Sequence, residues 1–473
     1  MLFKLVKSAL LILLTILLCS CQTHRTGELS APLPEKFSNI PQMGTERKAS
    51  SLSAAKRQGP WWENFHDPAL NRLVRQTLSG NLSLMQARAR LDQAKALADQ
   101  AGASWWPRIT VEARSNRTRT NVPEMPPATG TQASYSNQYF TSAAASYELD
   151  LWGRIASLDR AAEMDVRASW SDLEVMTMSL AAEVAETWFS IIEQQTILEL
   201  LEKQVKVSET YLKLIQFRFG QGMVSALDVY QQRQQLAGTR AQIPLIESRI
   251  KVLSHKLAVL LGDMSVSSGQ QTTDNSLPNL PDIPALGLPC ELLRLRPDVQ
   301  AAQFRVASAD YRVGAAIADR FPSLRLSTSG GFRATEFARI FENLVWDILG
   351  SLSGTLWDGG RKSAETRRTR AVLEERIAKY VQTVLEAFQE VEDALVREQH
   401  QRVYLEKLTV QTDFARKSLE ESRARYLNGL DDYLRVLTSL NAVQNLEKNL
   451  ISAKKQLLSY RIQLHRALGI NRQ

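Results

Sequence analysis

Cys21 is the side chain of this sequence best placed for covalent chemistry. It ends the run Leu18-Cys19-Ser20-Cys21, which follows Lys4, Lys7 and an apolar stretch from about Ala9 to Leu18. That stretch is too short for a permanent membrane span and has the basic-then-apolar layout of a secretory signal. Its ending, Leu-x-Ser-Cys, resembles a bacterial lipobox. The small Ser20 suits a cleavage pocket, and the Cys21 thiol is the atom that would carry lipid. Residues 1–20 are thus expected to be removed, leaving Cys21 as a lipidated first residue. Each buried methylene of its acyl chains contributes about 0.8 kcal/mol. Gln22 stands where an aspartate usually marks retention in an inner membrane, so the anchor points to the outer one.

The other reactive residue types are not grouped for chemistry. The five histidines, His24, His66, His255, His400 and His465, show no His-x-x-x-His spacing and read as exposed or satisfied helix residues. Gly220-Gln221-Gly222 begins like a dinucleotide loop, but it follows a helix rather than a strand and reads as a helix stop. Carboxylates sit at ordinary i, i+4 spacing on helices. No enzyme, cofactor or metal is expected. The formal charge of +8, about +6 without Lys4 and Lys7, is spread among acids. Arg361 to Arg376, for example, also holds Glu365, Glu374 and Glu375. This is not the concentrated patch a nucleic acid would need. With Cys19 removed and Cys21 acylated, Cys290 has no partner for an intrachain disulfide.

Long helices must position whatever the chain does. Residues 21–60, rich in Pro, Ser, Thr and Lys, read as a tether. Helical periodicity runs from near Pro68 to about Ser104. From Ile155 to about Phe219 apolar residues recur at Val166, Trp170, Leu173, Met176, Leu180, Val184, Trp188 and Ile191, one stripe on one face. A rod of such length suggests coiled-coil packing. Further helices are expected over 226–261, with Pro244 a kink, from Pro297 to before Pro322, over 360–426 and over 433–468. Residues 263–290 form a Ser/Pro/Gly/Asp-rich linker.

Four segments alternate with period two instead: 109–118, 139–151, 324–333 and 346–358. Each is apolar on one side and polar on the other, the pattern of a transmembrane β-strand and equally of a half-buried sheet. The chain is also duplicated. Trp106-Pro107-Arg108-Ile109 corresponds to Phe321-Pro322-Ser323-Leu324, and Leu151-Trp152-Gly153-Arg154 to Leu356-Trp357-Asp358-Gly359-Gly360-Arg361. Arg218-Phe219-Gly220 corresponds to Arg425-Tyr426-Leu427 through Gly429. Residues 61–262 and 291–473 are the two repeats, each reading helix, strand, strand, long helix, helix. Four strands cannot close a barrel, since small closed barrels need about eight. An open edge in hydrocarbon leaves costly unpaired backbone. If these strands enter a membrane, several copies must share one barrel.

Together with Gly287-Leu288-Pro289, Leu292-Leu293 and Arg296-Pro297-Asp298-Val299, these features make the chain resemble the TolC-type outer-membrane efflux family, specifically its lipoprotein branch. The resemblance implies a mainly α fold: long helical hairpins forming a tunnel, and four strands per chain in a 12-stranded barrel shared by a homotrimer. It implies outer-membrane localisation with extension into the periplasm. The duct would pass small molecules from an inner-membrane pump of RND type joined by a periplasmic adaptor. A protein-secretion duct is the rival within the fold, and a periplasmic coiled-coil spacer lipoprotein the rival outside it. Loops within 118–138 and 334–343 would face outside.

In the family, the tunnel end far from the strands narrows by interhelix hydrogen bonds and ion pairs. The equivalent turns here are Gly220 to Asp228 and Gly429 to Arg435. Asp228, Asp431, Asp432 and Arg435 are therefore the gate candidates. The alternative is that Asp431 and Asp432 only cap the last helix. Leu437-Thr438-Ser439 stands where related ducts often have Leu-Asp-Ala, so one expected aspartate ring is missing.

Overall fold

The computed structural model describes residues 60–123, 131–263, 277–283 and 295–469. Cys21, the tether short of Pro60, Gly287-Leu288-Pro289, Leu292-Leu293 and most of the 263–290 linker lie outside the described residues. In chain order the main elements are α1 (Pro68–Gly80), α2 (Leu82–Gly102), β1 (Arg108–Pro123), β2 (Thr131–Leu149), α3 (Arg154–Gly220) and α4 (Ala226–Leu261). They continue with α5 (Pro297–Ala318), β3 (Ser323–Ala334), β4 (Leu344–Ser353), α6 (Arg361–Leu427) and α7 (Tyr433–Ala467). Contacts divide the chain into two compact units. Among the described residues, one holds those within 92–169 and 302–380, and the other those within 60–91, 170–301 and 381–469.

The first unit contains a four-stranded antiparallel sheet in the order β1-β2-β3-β4. Its registers keep like faces together: Ile109 opposes Ala145, Tyr147 opposes Leu326, and Leu324 opposes Leu352. β1 and β4 are the sheet's two edges. β1 and β2 run to 16 and 19 residues, longer than the alternation indicated. β4 is shorter than 346–358: it ends at Ser353, and Leu356 and Trp357 lie beyond it, exposed. The chain there is already turning into α6, whose start Asp358 caps by accepting from the Gly360 and Lys362 amides. Asp150 does the same for α3, accepting from the Ile155 and Ala156 amides at 3.1 and 2.8 Å. A carboxylate at a helix N-terminus satisfies orphan donors and complements the dipole.

The second unit is helical, with a core of Trp61, Trp62, Phe65, Leu70 and Leu73 against the 180–192 stretch of α3, the end of α4 and Leu458 and Ile462 of α7. α3 and α6 are 67 residues each, about 100 Å at 1.5 Å per residue. One window of α3 is apolar enough to cross a membrane by composition, but 61% of it is buried. The expected continuous helix over 68–104 is broken. α1 stops at Gly80, and Asn81 starts α2 by accepting from the Leu84 amide while its Nδ2–H donates to the Leu260 carbonyl. The return leg of α4 explains the break: Gly262 has φ +76°, and a Cβ there would lie 2.4 Å from the Gly80 carbonyl oxygen. α4 itself continues through Pro244.

Two arginines clamp this unit from inside. Arg461, fully buried, donates to both oxygens of Glu398 at 2.8 and 2.6 Å and to the Pro281 carbonyl. Arg402 also reaches Glu398, at 2.9 Å. Arg296 holds Asp298, Glu390 and the Ala467 carbonyl at 2.6, 2.8 and 2.9 Å. His465 departs from the expectation of an exposed or satisfied histidine. It is buried, stacked on Trp61 at 5.5 Å, and neither ring nitrogen has a hydrogen-bond partner among the described residues. Burial, seconded by the charge of Arg461, pushes its pKa down to about 3, so the ring is neutral at ordinary pH.

Candidate gate at the hairpin tips

The turn joining α3 to α4 and the turn joining α6 to α7 are brought together in the helical unit. Ile215, Val229, Tyr426, Tyr433, Val436 and Leu437 form one buried cluster under them. Both turns begin alike, because each long helix ends in a glycine-containing turn with positive φ: Gly222 at +70° and Gly429 at +72°. Backbone amides of Met223 and Leu430 then close back on the Arg218 and Arg425 carbonyls. This is the Schellman arrangement, in which glycine carries the left-handed residue without a Cβ penalty.

The polar groups over this cluster divide into two sets. Asp431 is the centre of one, accepting from Arg435 Nε at 2.7 Å and from Arg425 Nε at 3.1 Å. Partial burial opposes its charge, but the Arg425 hydrogen bond and the charges of Arg435 and Arg425 hold its carboxyl below the ordinary range. Asp228 belongs to the other set: its Oδ2 accepts from the Ser225 amide and hydroxyl, while its own amide donates to Ser225 Oγ. That is a capping box for α4. Asp432 occupies the N-cap of α7 and makes no side-chain capping bond. Of the four residues expected at the gate, Asp431 and Arg435 meet. Asp228 and Asp432 each stand apart from that pair.

Several contributors were not among the sequence candidates. Arg425 is the second cation on Asp431. Arg218 lies over the Tyr426 ring at 4.6 Å, a cation–π contact. Tyr433 donates to Gln232, which in turn donates to the Ser208 carbonyl at 2.7 Å. Burial pushes the Tyr433 hydroxyl's pKa up, so it remains a donor. The Ser225-x-x-Asp228 spacing is a capping signature readable in the sequence. The arginines carry no such local signal. Around the cluster, Met223, Leu227, Tyr230, Leu430 and Leu434 are apolar and exposed. Among the described residues no group of His, Cys, Asp and Glu is arranged to hold a metal.

The chain thus offers two 67-residue helices and a four-stranded sheet whose edges β1 and β4 have no further strand among the described residues. The sequence model of the outer membrane efflux protein family matches residues 73–263 and 288–470, and the chain belongs to that family. It is 28% identical over 448 residues to the pyoverdine export outer membrane protein OpmQ of Pseudomonas putida, covering 93% of this chain and 94% of that protein. It is 28% identical over 421 residues to the toluene efflux pump outer membrane protein TtgC of Pseudomonas putida, covering 88% and 86%. The solved outer-membrane channel OprN superposes with a TM-score of 0.84 at 28% identity, covering 95% of this chain and 99% of that one. The protein is accordingly an outer-membrane efflux channel with a TolC-like fold, localised to the outer membrane.

Proposed function

We propose that three copies of this protein form one exit duct for small molecules, fed by a periplasmic adaptor and an inner-membrane pump of RND type. The observation that carries this reading is the sheet. Four strands present an apolar face, and the outer edges of both β1 and β4 have no strand beside them among the described residues. In hydrocarbon such edges cost several kcal/mol per unpaired group, and only closure removes them. Three sheets make 12 strands, enough for a water-filled interior lined by Thr110, Glu112, Ser327 and Ser351. The named cargoes of the relatives, pyoverdine and toluene, support small molecules as the class carried here. The exposed apolar side chains at the hairpin tips suit a protein partner there. Cys21, lipidated, would hold the mature chain to outer-membrane lipid beside the barrel.

The Asp431–Arg435–Arg425 cluster, repeated by the three-fold axis, is the resting closure. Native mass spectrometry of the detergent-solubilised protein should give three copies, each with a lipidated amino-terminal cysteine. A monomer that still conducts ions across a bilayer would rule the duct out in this form.

A further inference from the structure

Two tryptophans of the sheet unit stand open where the duplication says they should be covered. Within the chain the repeats meet at β2 and β3. There Trp152 stacks on Phe321 with ring centroids 4.9 Å apart and planes 24° from parallel. Its Nε1–H donates to the Pro322 carbonyl at 2.7 Å. Trp357 is the counterpart of Trp152, and Trp106-Pro107 that of Phe321-Pro322. β4 and β1 are opposite edges of one sheet, so among the described residues these counterparts make no such contact. Trp357 is 88% exposed and Trp106 75%.

We propose that Trp357 of one copy stacks on Trp106 of the next and donates its Nε1–H to that copy's Pro107 carbonyl. This locks β4 to the neighbouring β1 in the register that β2 and β3 already use. The proposal rests on the shared-barrel reading and adds to it the contact residues and the register of the seam.

The in-chain register supplies the geometry. Leu149 opposite Leu324 and Tyr147 opposite Leu326 become Gly354 opposite Ile109 and Leu352 opposite Val111. Continued to Leu344 opposite Arg119, the pairing uses all 10 residues of β4 and stays inside β1. Directly opposed residues share a face of the sheet, so this register can be checked by parity. It sets Leu352, Gly350 and Ile348 against Val111, Ala113 and Ser115, keeping the apolar faces of both strands on one side. A slip of one residue would set Leu352 against Thr110 or Glu112 and turn one apolar face onto the other's polar face. The same register brings Trp346 opposite Arg117, a pair suited to cation–π contact. Asp347 falls opposite Asn116, so no like charges are opposed. The seam continues an interface the chain already makes with itself, and a second copy is the occupant it fits.

Cysteine pairs test this in a Cys290→Ser background. Leu352→Cys with Val111→Cys should oxidise to covalent dimers and closed trimers on non-reducing denaturing gels. Leu352→Cys with Ser115→Cys, displaced by roughly 13 Å along the strand, should not. Trp357→Ala should lower the temperature at which the ring separates in detergent, with Trp357→Phe falling between it and the parent. A trimer that cross-links only through Ser115, or through neither pair, overturns the register while leaving the shared barrel in place. A trimer whose separation temperature is unmoved by Trp357→Ala overturns the tryptophan contact. A protein that is monomeric throughout overturns the barrel reading, and this inference with it.

Discussion

In the helical unit Arg461 is fully buried and its guanidinium is met by Glu398 and the Pro281 carbonyl. In the sheet unit Trp346, Ile348 and Leu352 stand open along β4, the sheet's edge. One region pairs its buried arginines inside the chain; the other leaves apolar side chains and strand edges for neighbours and lipid. The first therefore answers to ordinary rules of monomer stability, and the second to rules of assembly. Mutations in the helical unit should shift unfolding whatever the oligomeric state, and mutations at the sheet edge should shift the ring first.

The largest effect is expected from Glu398→Ala, which strands Arg461 in the interior. Removing one partner of a buried pair costs about 3–5 kcal/mol. Denaturant unfolding followed by helical circular dichroism should register that loss, and an unchanged midpoint would break the comparison at its strongest point.

His465 sharpens it with pH. The folded pKa of about 3 lies well below that of an unfolded histidine, near 6.5. The unfolded chain thus takes up a proton that the fold refuses. This contribution is fully present above pH 6.5 and is lost as pH falls toward 3, by at most about 1.4 kcal/mol per pH unit. His465→Phe, which keeps an aromatic ring on Trp61, should show a smaller fall in melting temperature between pH 7.5 and pH 5 than the parent.

At the hairpin tips, the pair Asp431→Ala with Arg435→Ala should raise single-channel conductance in planar bilayers with little change in unfolding. Conductance and cation selectivity both equal to the parent's would reduce this cluster to a local turn. The smallest effect belongs to Lys203→Ala. Its i, i+4 partner Glu199 is exposed too, and such pairs contribute within about 0.5 kcal/mol. A larger loss in unfolding titrations would mean that surface charge matters more to the helical unit than its buried clamps suggest.

Much of this architecture was legible because its signals are local. The strands announced themselves by alternation, the long helices by their stripe, and the half-protein repeat by Leu151-Trp152 and Leu356-Trp357. What could not be read depends on distant partners. The break at Asn81 exists because α4 returns beside Gly80, with Leu260 and Gly262 far along the chain. Glu398 and Arg461 are 63 residues apart in sequence, and nothing near either predicts a buried pair. The far ends of β1 and β2 went unseen because Arg119 and Asn121 carry no alternation, though their backbones pair with β2. At the tips, Asp431 was found as a candidate, but Arg425, one helix back, was not. The spacing of Asp228 to Ser225 also describes a helix cap, and that bond is local enough to be read.

The free edges of the sheet also bear on inheritance. If each edge must be met by a sister chain, a copy with a damaged β4 spoils the ring it joins as well as its own share of it. A cell carrying one sound and one edge-damaged allele should then lose more efflux than half. A cell carrying one sound allele and one that unfolds in the helical unit, and so never reaches the ring, should lose about half at most.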